Sequence, residues 1–319
     1  MRFVTVFLAA ALAMCADLSL TVPEPALSVG FSRDGTTVVA VCQDGVVRWW
    51  DVRTGGAKRS VTLSKSRLRI ATQSDDGMRA ATADRSGEIR VWDLEHGELL
   101  KVLAGVDPRA SDKRLDALQF SPDGKRLAAA GRERRVRIFD VATGREAMSL
   151  PDGVGEDATV VFSRDAGLVA APNSDTNTRV WDARTGKQIA TIDRLPLSLF
   201  ALTFSADGHR LVGAGVDRSI YIWNTATWQV EQKLEGQTEM ILALALSADG
   251  RKLVAGGNSE LSVMNPVKVL IWDVAAAKVL MTLDSPHTVI AAAVSPDGSH
   301  VAGATAGNVV KVWQIDSRP

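Results

Sequence analysis

Apolar and polar residues alternate along this chain in short runs that are broken at regular intervals by Asp-Gly and Thr-Gly pairs. Segments such as Ile89-Arg-Val-Trp-Asp93 and Thr178-Arg-Val-Trp-Asp182 alternate with period two, the period of a strand with one side turned in and one turned out. Glycine supplies the φ > 0 position that closes a tight antiparallel turn, so the pairs between the runs read as hairpin turns. Outside an apolar run from Phe3 to Met14, no stretch carries a helical period. The pattern predicts an all-β chain.

The alternation is itself repeated. A Ser-x-Asp-Gly turn recurs at Ser32–Gly35, Ser74–Gly77, Ser121–Gly124, Ser205–Gly208, Ser247–Gly250 and Ser295–Gly298, and a degenerate copy occupies Ser163–Gly167. Each is followed by an apolar strand and then by a second strand ending in an aromatic: Trp50, Trp92, Phe139, Trp181, Trp223, Trp272 and Trp313. The next residue is Asp51, Asp93, Asp140, Asp182, Asn224, Asp273 or Gln314. Turn serine and aromatic are 18 residues apart in every copy but the sixth, where the interval is 25. From aromatic to next turn serine the interval is 24 in four cases, 23 in one, and 29 after Trp92. A fixed period of this length marks a repeat architecture.

With Ser-x-Asp-Gly in six copies and a terminal Trp-Asp in four, the chain resembles the WD-repeat β-propellers over about residues 17–316. The resemblance implies seven blades of four antiparallel strands, a to d, ringed around a central channel. Physical reasoning agrees, because one such blade is apolar on both faces and must stack on neighbours until the ring closes. The seventh repeat supplies only three strands, at about 288–294, 299–304 and 308–314. Asp17–Val22 resembles the outer strands Lys187–Ile192 and Lys278–Leu283, so it is expected to complete blade seven and clasp the chain ends together.

Many WD repeats carry a Trp, Ser/Thr, His and Asp network inside the blade. Here the acid aligns with Asp44, Glu133, Asp175 and Asp217, while Ser86 and Gly307 stand in its place in blades two and seven. Only His287 lies near the expected histidine position, and the Ser/Thr position is Ala or Gly except at Thr82. No blade can build the whole network. Asp44, Asp175 and Asp217 then have two readings: caps of their own turns, or groups turned toward a partner.

Arg2, the run Phe3–Met14 and the small residues that follow have the form of a secretory signal peptide, too short to span a bilayer. Ala13 and Cys15 suit cleavage before Ala16; Leu12–Cys15 also resembles a bacterial lipobox, with Met14 ill-suited to it. The expected organisation is a signal peptide at 1–15 and a propeller at 16–319, secreted or periplasmic in a bacterium. Plain release is favoured over a lipid anchor, because the clasp strand begins so soon after Cys15.

Lys+Arg and Asp+Glu are equal at 37 each, so no global field draws nucleic acid or an anionic membrane. The densest basic cluster, Arg132–Arg135 with Arg137, lacks interleaved aromatics and reads as a solvated blade edge. Cys42 lies in an apolar strand as a small core residue, and Trp49 aligns with the core positions Val91, Val180 and Ile222. Trp228 stands in a turn, either exposed or against the next strand. His96, His209 and His300 fall on one face in different blades and His287 on the other, which rules out convergence on a metal or a nucleophilic triad. Asp175–Asn177 has the look of a calcium loop, but Arg179 stands where another oxygen ligand is needed.

The extra residues fall near Ala104–Arg114, between blades two and three, and near Asn258–Lys268, inside blade six. Both lie in connections that open on one face, called the upper face below. Loops on a rigid scaffold are where recognition resides, and neutral insertion is the competing reading. The expected function is a monomeric, non-enzymatic scaffold, with no cofactor and no metal, that binds a protein or peptide through this face. Candidate contacts are Asp44, Asp107, Arg109, Lys113, Arg132, Arg134, Asp175, Asp217, Arg218, Glu260 and Met264. The alternatives are a small-molecule or glycan binder at the channel mouth and a propeller hydrolase or lyase. If Asp17–Val22 is the clasp, a chain beginning at Glu24 leaves the edge of Val309–Ile315 unpaired and aggregates. A soluble truncated chain with unchanged thermal melting contradicts the clasp.

Overall fold

A computed structural model of the chain describes residues 17–103, 114–132, 134–150, 159–173, 176–193, 198–258 and 266–315. The proposed signal peptide and cleavage site lie outside them. Every element among the described residues is a strand, and the strands form seven four-stranded antiparallel sheets. In blade one these are strand a, Ala26–Phe31; strand b, Thr37–Cys42; strand c, Val46–Asp51; and strand d, Ala57–Thr62. The same a–b–c–d order recurs through blade six. Among the described residues no helix is long and apolar enough to cross a membrane.

Blade seven is built from both ends of the chain. Val289–Val294, His300–Thr305 and Val309–Gln314 supply a, b and c, and Leu18–Thr21 pairs antiparallel with the last of these as strand d. The register sets Leu18 opposite Val312 and Thr21 opposite Val309. The pairing extends past the strand: Val22 N–H donates to Asn308 O at 3.0 Å and Asn308 Nδ2 to Pro23 O at 2.9 Å. Leu20 and Val22 are buried in the cluster joining blades seven and one. The expected clasp is thus present, one residue shorter at each end as a strand.

Seven apolar clusters lie among the described residues, one at each seam between successive blades. Strand b holds their centre, with runs such as Ala128–Ala130 and Val169–Ala171 almost fully buried. These residues are small because the large strand-c aromatic of the same blade lies against them. A Cβ at Gly303 would stand 2.8 Å from the Trp313 ring, and one at Gly213 would stand 2.9 Å from Trp223. In these two blades the indole lies where a Cβ would stand, so Ser or Thr cannot enter unless the ring shifts. Thr82 keeps the bond, its hydroxyl accepting Trp92 Nε1–H at 2.8 Å. His287 lies with its ring over Gly307, the glycine in the acid position, where a Cβ would meet the ring at 2.1 Å.

Trp49 departs from the expected packing, and Trp228 takes the second of its two readings. Trp49 is half-buried rather than core, with the Arg59 guanidinium 4.3 Å from its ring centre. Trp228, at φ 58°, occupies the left-handed turn position that Gly55, Gly97, Gly144 and Gly186 fill elsewhere. Its half-buried ring joins the cluster containing Ala190, which stands where blade three has Met148. A larger turn residue compensates a smaller strand residue across one seam.

Thr82→Val strands a buried indole N–H and is expected to lower the unfolding free energy by about 1–3 kcal/mol. Gly303→Ser, although it restores the residue type usual in the family, forces a Cβ against Trp313 and is expected to cost a similar ~1–3 kcal/mol. Denaturant unfolding of the two variants measures both.

Candidate functional site

Antiparallel order puts the b–c and d–a connections of all blades on the upper face and the a–b and c–d turns on the lower. On the upper face the Asp44 carboxylate accepts the Val46 N–H at 3.0 Å and both Arg48 amino groups, at 3.1 and 2.6 Å. Asp217 accepts the Ser219 N–H at 3.2 Å and the Tyr221 hydroxyl at 2.6 Å. Both carboxylates cap their own turns and hold a strand-c side chain two residues before the aromatic. In blade two Asp84 reaches Arg90 at the same place, at 3.2 Å. This acid-to-strand-c contact stands in for the family network. Its signal was visible in the sequence as polar residues recurring two before the aromatic: Arg48, Arg90, Arg137, Arg179, Tyr221 and Lys311.

Arg132 and Arg134 share the b–c turn of blade three, while Asp44 lies in blade one and Asp217 and Arg218 lie in blade five. Arg134, Thr176 and Arg218 take the left-handed conformation at one turn position in three successive blades, where blades one and two have Gly45 and Gly87. Asp107, Arg109, Lys113, Asp175, Glu260 and Met264 lie outside the described residues. Arg137 is not part of a solvated edge: it is buried, bonds Glu146 at 2.7 Å and lies 4.9 Å from the Phe139 ring centre. Strand alternation sets it on the same face as Phe139, within reach of Glu146 on the neighbouring strand d.

Sequence reading also missed a pair at the channel. Strand a of blades two and three each carries a bulge near its start, and the extra residues are Arg69 and Asp116. They meet at 3.2 Å, and Arg114 reaches the same carboxylate at 2.8 Å. A bulge is set by ladder register rather than by residue type, so no local signal announces it.

The lower face is organised by the Ser-x-Asp-Gly turns. In blade three Ser121 Oγ donates to Asp123 at 2.6 Å and accepts the Arg126 N–H at 2.9 Å, while Gly124 N–H closes the turn on Ser121 O at 2.8 Å. The degenerate copy closes the same way, with Ala166 at φ 57° in place of glycine. Bonds from Ser32, Ser163, Ser205, Ser247 and Ser295 hold Asp34, Asp165, Asp207, Asp249 and Asp297 below the ordinary carboxylate value, to about 2 at Asp297. The x residues surround the channel mouth, where a cavity of about 450 Å³ opens with walls from all seven blades. Asp75 and Arg164 form an ion pair across that mouth, joining blades two and four. His96 and His209 stand in separate lower-face turns and His300 opens a lower-face strand end. Among the described residues no three His, Cys, Asp or Glu side chains group as a metal site requires.

The WD domain, G-beta repeat family matches residues 20–51, 187–224 and 277–314. The anaphase-promoting complex subunit 4 WD40 domain family matches residues 81–161. Each of the three shorter matches runs from a strand d through the a, b and c of the next blade. The repeat in sequence is therefore one strand out of step with the blade in space, the offset that sends Leu18–Thr21 to blade seven. Apoptotic protease-activating factor 1 of Rattus norvegicus is 30% identical over 80 residues, which are 25% of this chain and 6% of that protein. The chain thus spans a small part of that relative's length.

The turn carboxylates predict the acid limit of the fold. Their folded pKa values lie below the ~3.9 of an unfolded Asp, so their stabilisation is complete above about pH 4 and fades as pH falls toward 2. Thermal melting should be level from pH 7 to 5 and drop within that window, and Ser247→Ala should lower the melting temperature at neutral pH. A midpoint that rises on acidification contradicts the assignment.

Proposed function

The chain belongs to the WD-repeat β-propellers, and we propose that within them it is a non-enzymatic scaffold binding a protein or peptide through its upper face. Such propellers serve generally as protein-interaction scaffolds. The observation that carries the choice of face is the pair of upper-face connections spanning 104–114 and 259–266, both longer than most of their counterparts, on a ring whose lower a–b turns keep one form in every blade. Loops on a rigid scaffold are where recognition resides. The leader-like run Phe3–Met14 supports export, which puts the partner in the periplasm or outside the cell.

The reading is tested by crosslinking capture from the native envelope fraction, comparing the full chain with a variant shortened within 104–113 and 259–265. The expected result is a partner captured by the full chain and lost by the variant, with equal thermal stability of the two. Identical capture by both contradicts the upper-face assignment.

A further inference from the structure

The lower channel mouth has a wall chemistry of its own. Strand a ends there in Phe31, Phe120, Phe162, Phe204, Leu246 and Val294, and these residues line the cavity of about 450 Å³. A cavity of that size is within the range that holds a small ligand or a side chain. The rim is lopsided. On the side of blades two to four the charged groups Asp75 and Arg164 satisfy each other. On the far side the same turn position is Ala206, Ala248 and Pro296, with no charge, while in blade one it is the exposed Arg33, which does not line the cavity.

The wall hydroxyls are already engaged: Ser205, Ser247 and Ser295 each donate to their turn aspartate at 2.5 Å. Two neutral donors remain. Gln119 Oε1 accepts the Phe162 N–H at 2.6 Å, which fixes the orientation of the amide, since only the oxygen can accept. Its NH₂ group is turned away from that bond and has no partner among the described residues. The Thr203 hydroxyl reaches only Phe204 O, at 3.4 Å, the far limit of a hydrogen bond. Gln119 and Thr203 both line the cavity.

We propose that the lower mouth is a second binding site, which takes an uncharged aromatic or branched aliphatic side chain, together with its peptide carbonyl, from an extended segment of a partner protein. The apolar walls match the side chain, and the Gln119 amide and Thr203 hydroxyl match the carbonyl. A cationic side chain is excluded because entry would strip its water with no unpaired carboxylate in the wall to replace it. The inference shares with the upper-face reading only the premise that the partner is a polypeptide.

The test uses the full chain and N-acetylphenylalaninamide as the probe, followed by NMR of the Gln119 side-chain amide and the phenylalanine rings. Saturable shifts of both are expected, with N-acetyllysinamide giving none. Ala248→Trp, at an exposed rim position, should weaken the probe by at least about tenfold, the effect of blocking one anchor pocket, without changing the melting temperature. Thr203→Val should weaken it less and spare the ring shifts. The chain shortened within 104–113 and 259–265 should bind the probe as the full chain does, so this site and the upper-face reading fail separately. Absence of saturable shifts, equal binding of the charged probe, or an affinity unmoved by Ala248→Trp overturns the proposal.

Discussion

The stacking of sheets that are apolar on both faces is the constraint on which the rest of this structure depends. No blade can bury itself, and any open row of blades leaves two apolar faces in water. Closure is therefore required by the composition of strand b, whose alanines and glycines are buried from either side. The chain meets the requirement with a strand four residues long, Leu18–Thr21, held by a ladder and by bonds from Val22 and Asn308. Because the repeat in sequence is offset by one strand from the blade, first and last repeats must share a sheet.

Ring closure also fixes the two faces. Each lower-face turn is a small rigid unit in which a serine, an aspartate and two backbone groups satisfy one another, so it keeps its shape without tertiary help. Repeated in every blade, these turns set the x residue at the channel mouth and make that mouth a product of the repeat. The upper face is less uniform. Its turns use Gly45 and Gly87 in two blades but Arg134, Thr176 and Arg218 in the next three, and its longest connections are not repeated. The a–b turns are thus stereotyped and the upper connections individual, which is the arrangement expected of a scaffold whose specificity lies in departures from its repeat.

The fold was legible in the sequence because both of its signals are periodic: the Ser-x-Asp-Gly turn and the aromatic 18 residues on. Asp17–Val22 could be assigned because its pattern copies Lys187–Ile192. What escaped was decided by register and by neighbours. Arg69 and Asp116 meet only because two bulges displace them, and Arg137 is buried only because Glu146 stands across from it. Trp228 could not be placed until Ala190 was known to face it. The phenylalanines of the lower mouth look like ordinary core residues in the sequence until the strand ends of all seven blades are brought together. Identity along the chain carries the blades, and contacts between blades carry the sites.

The closed ring is the premise of both proposed binding faces, and a crosslink tests it most directly. Ser19 and Lys311 are opposed in the closing pair, with Lys311 Nζ 3.1 Å from Ser19 Oγ. In the Ser19→Cys, Lys311→Cys double variant, mild oxidation should form a disulfide within one chain and raise the melting temperature. Disulfides only between chains, or none, would mean that the ends do not share a sheet and that the ring is not closed as described.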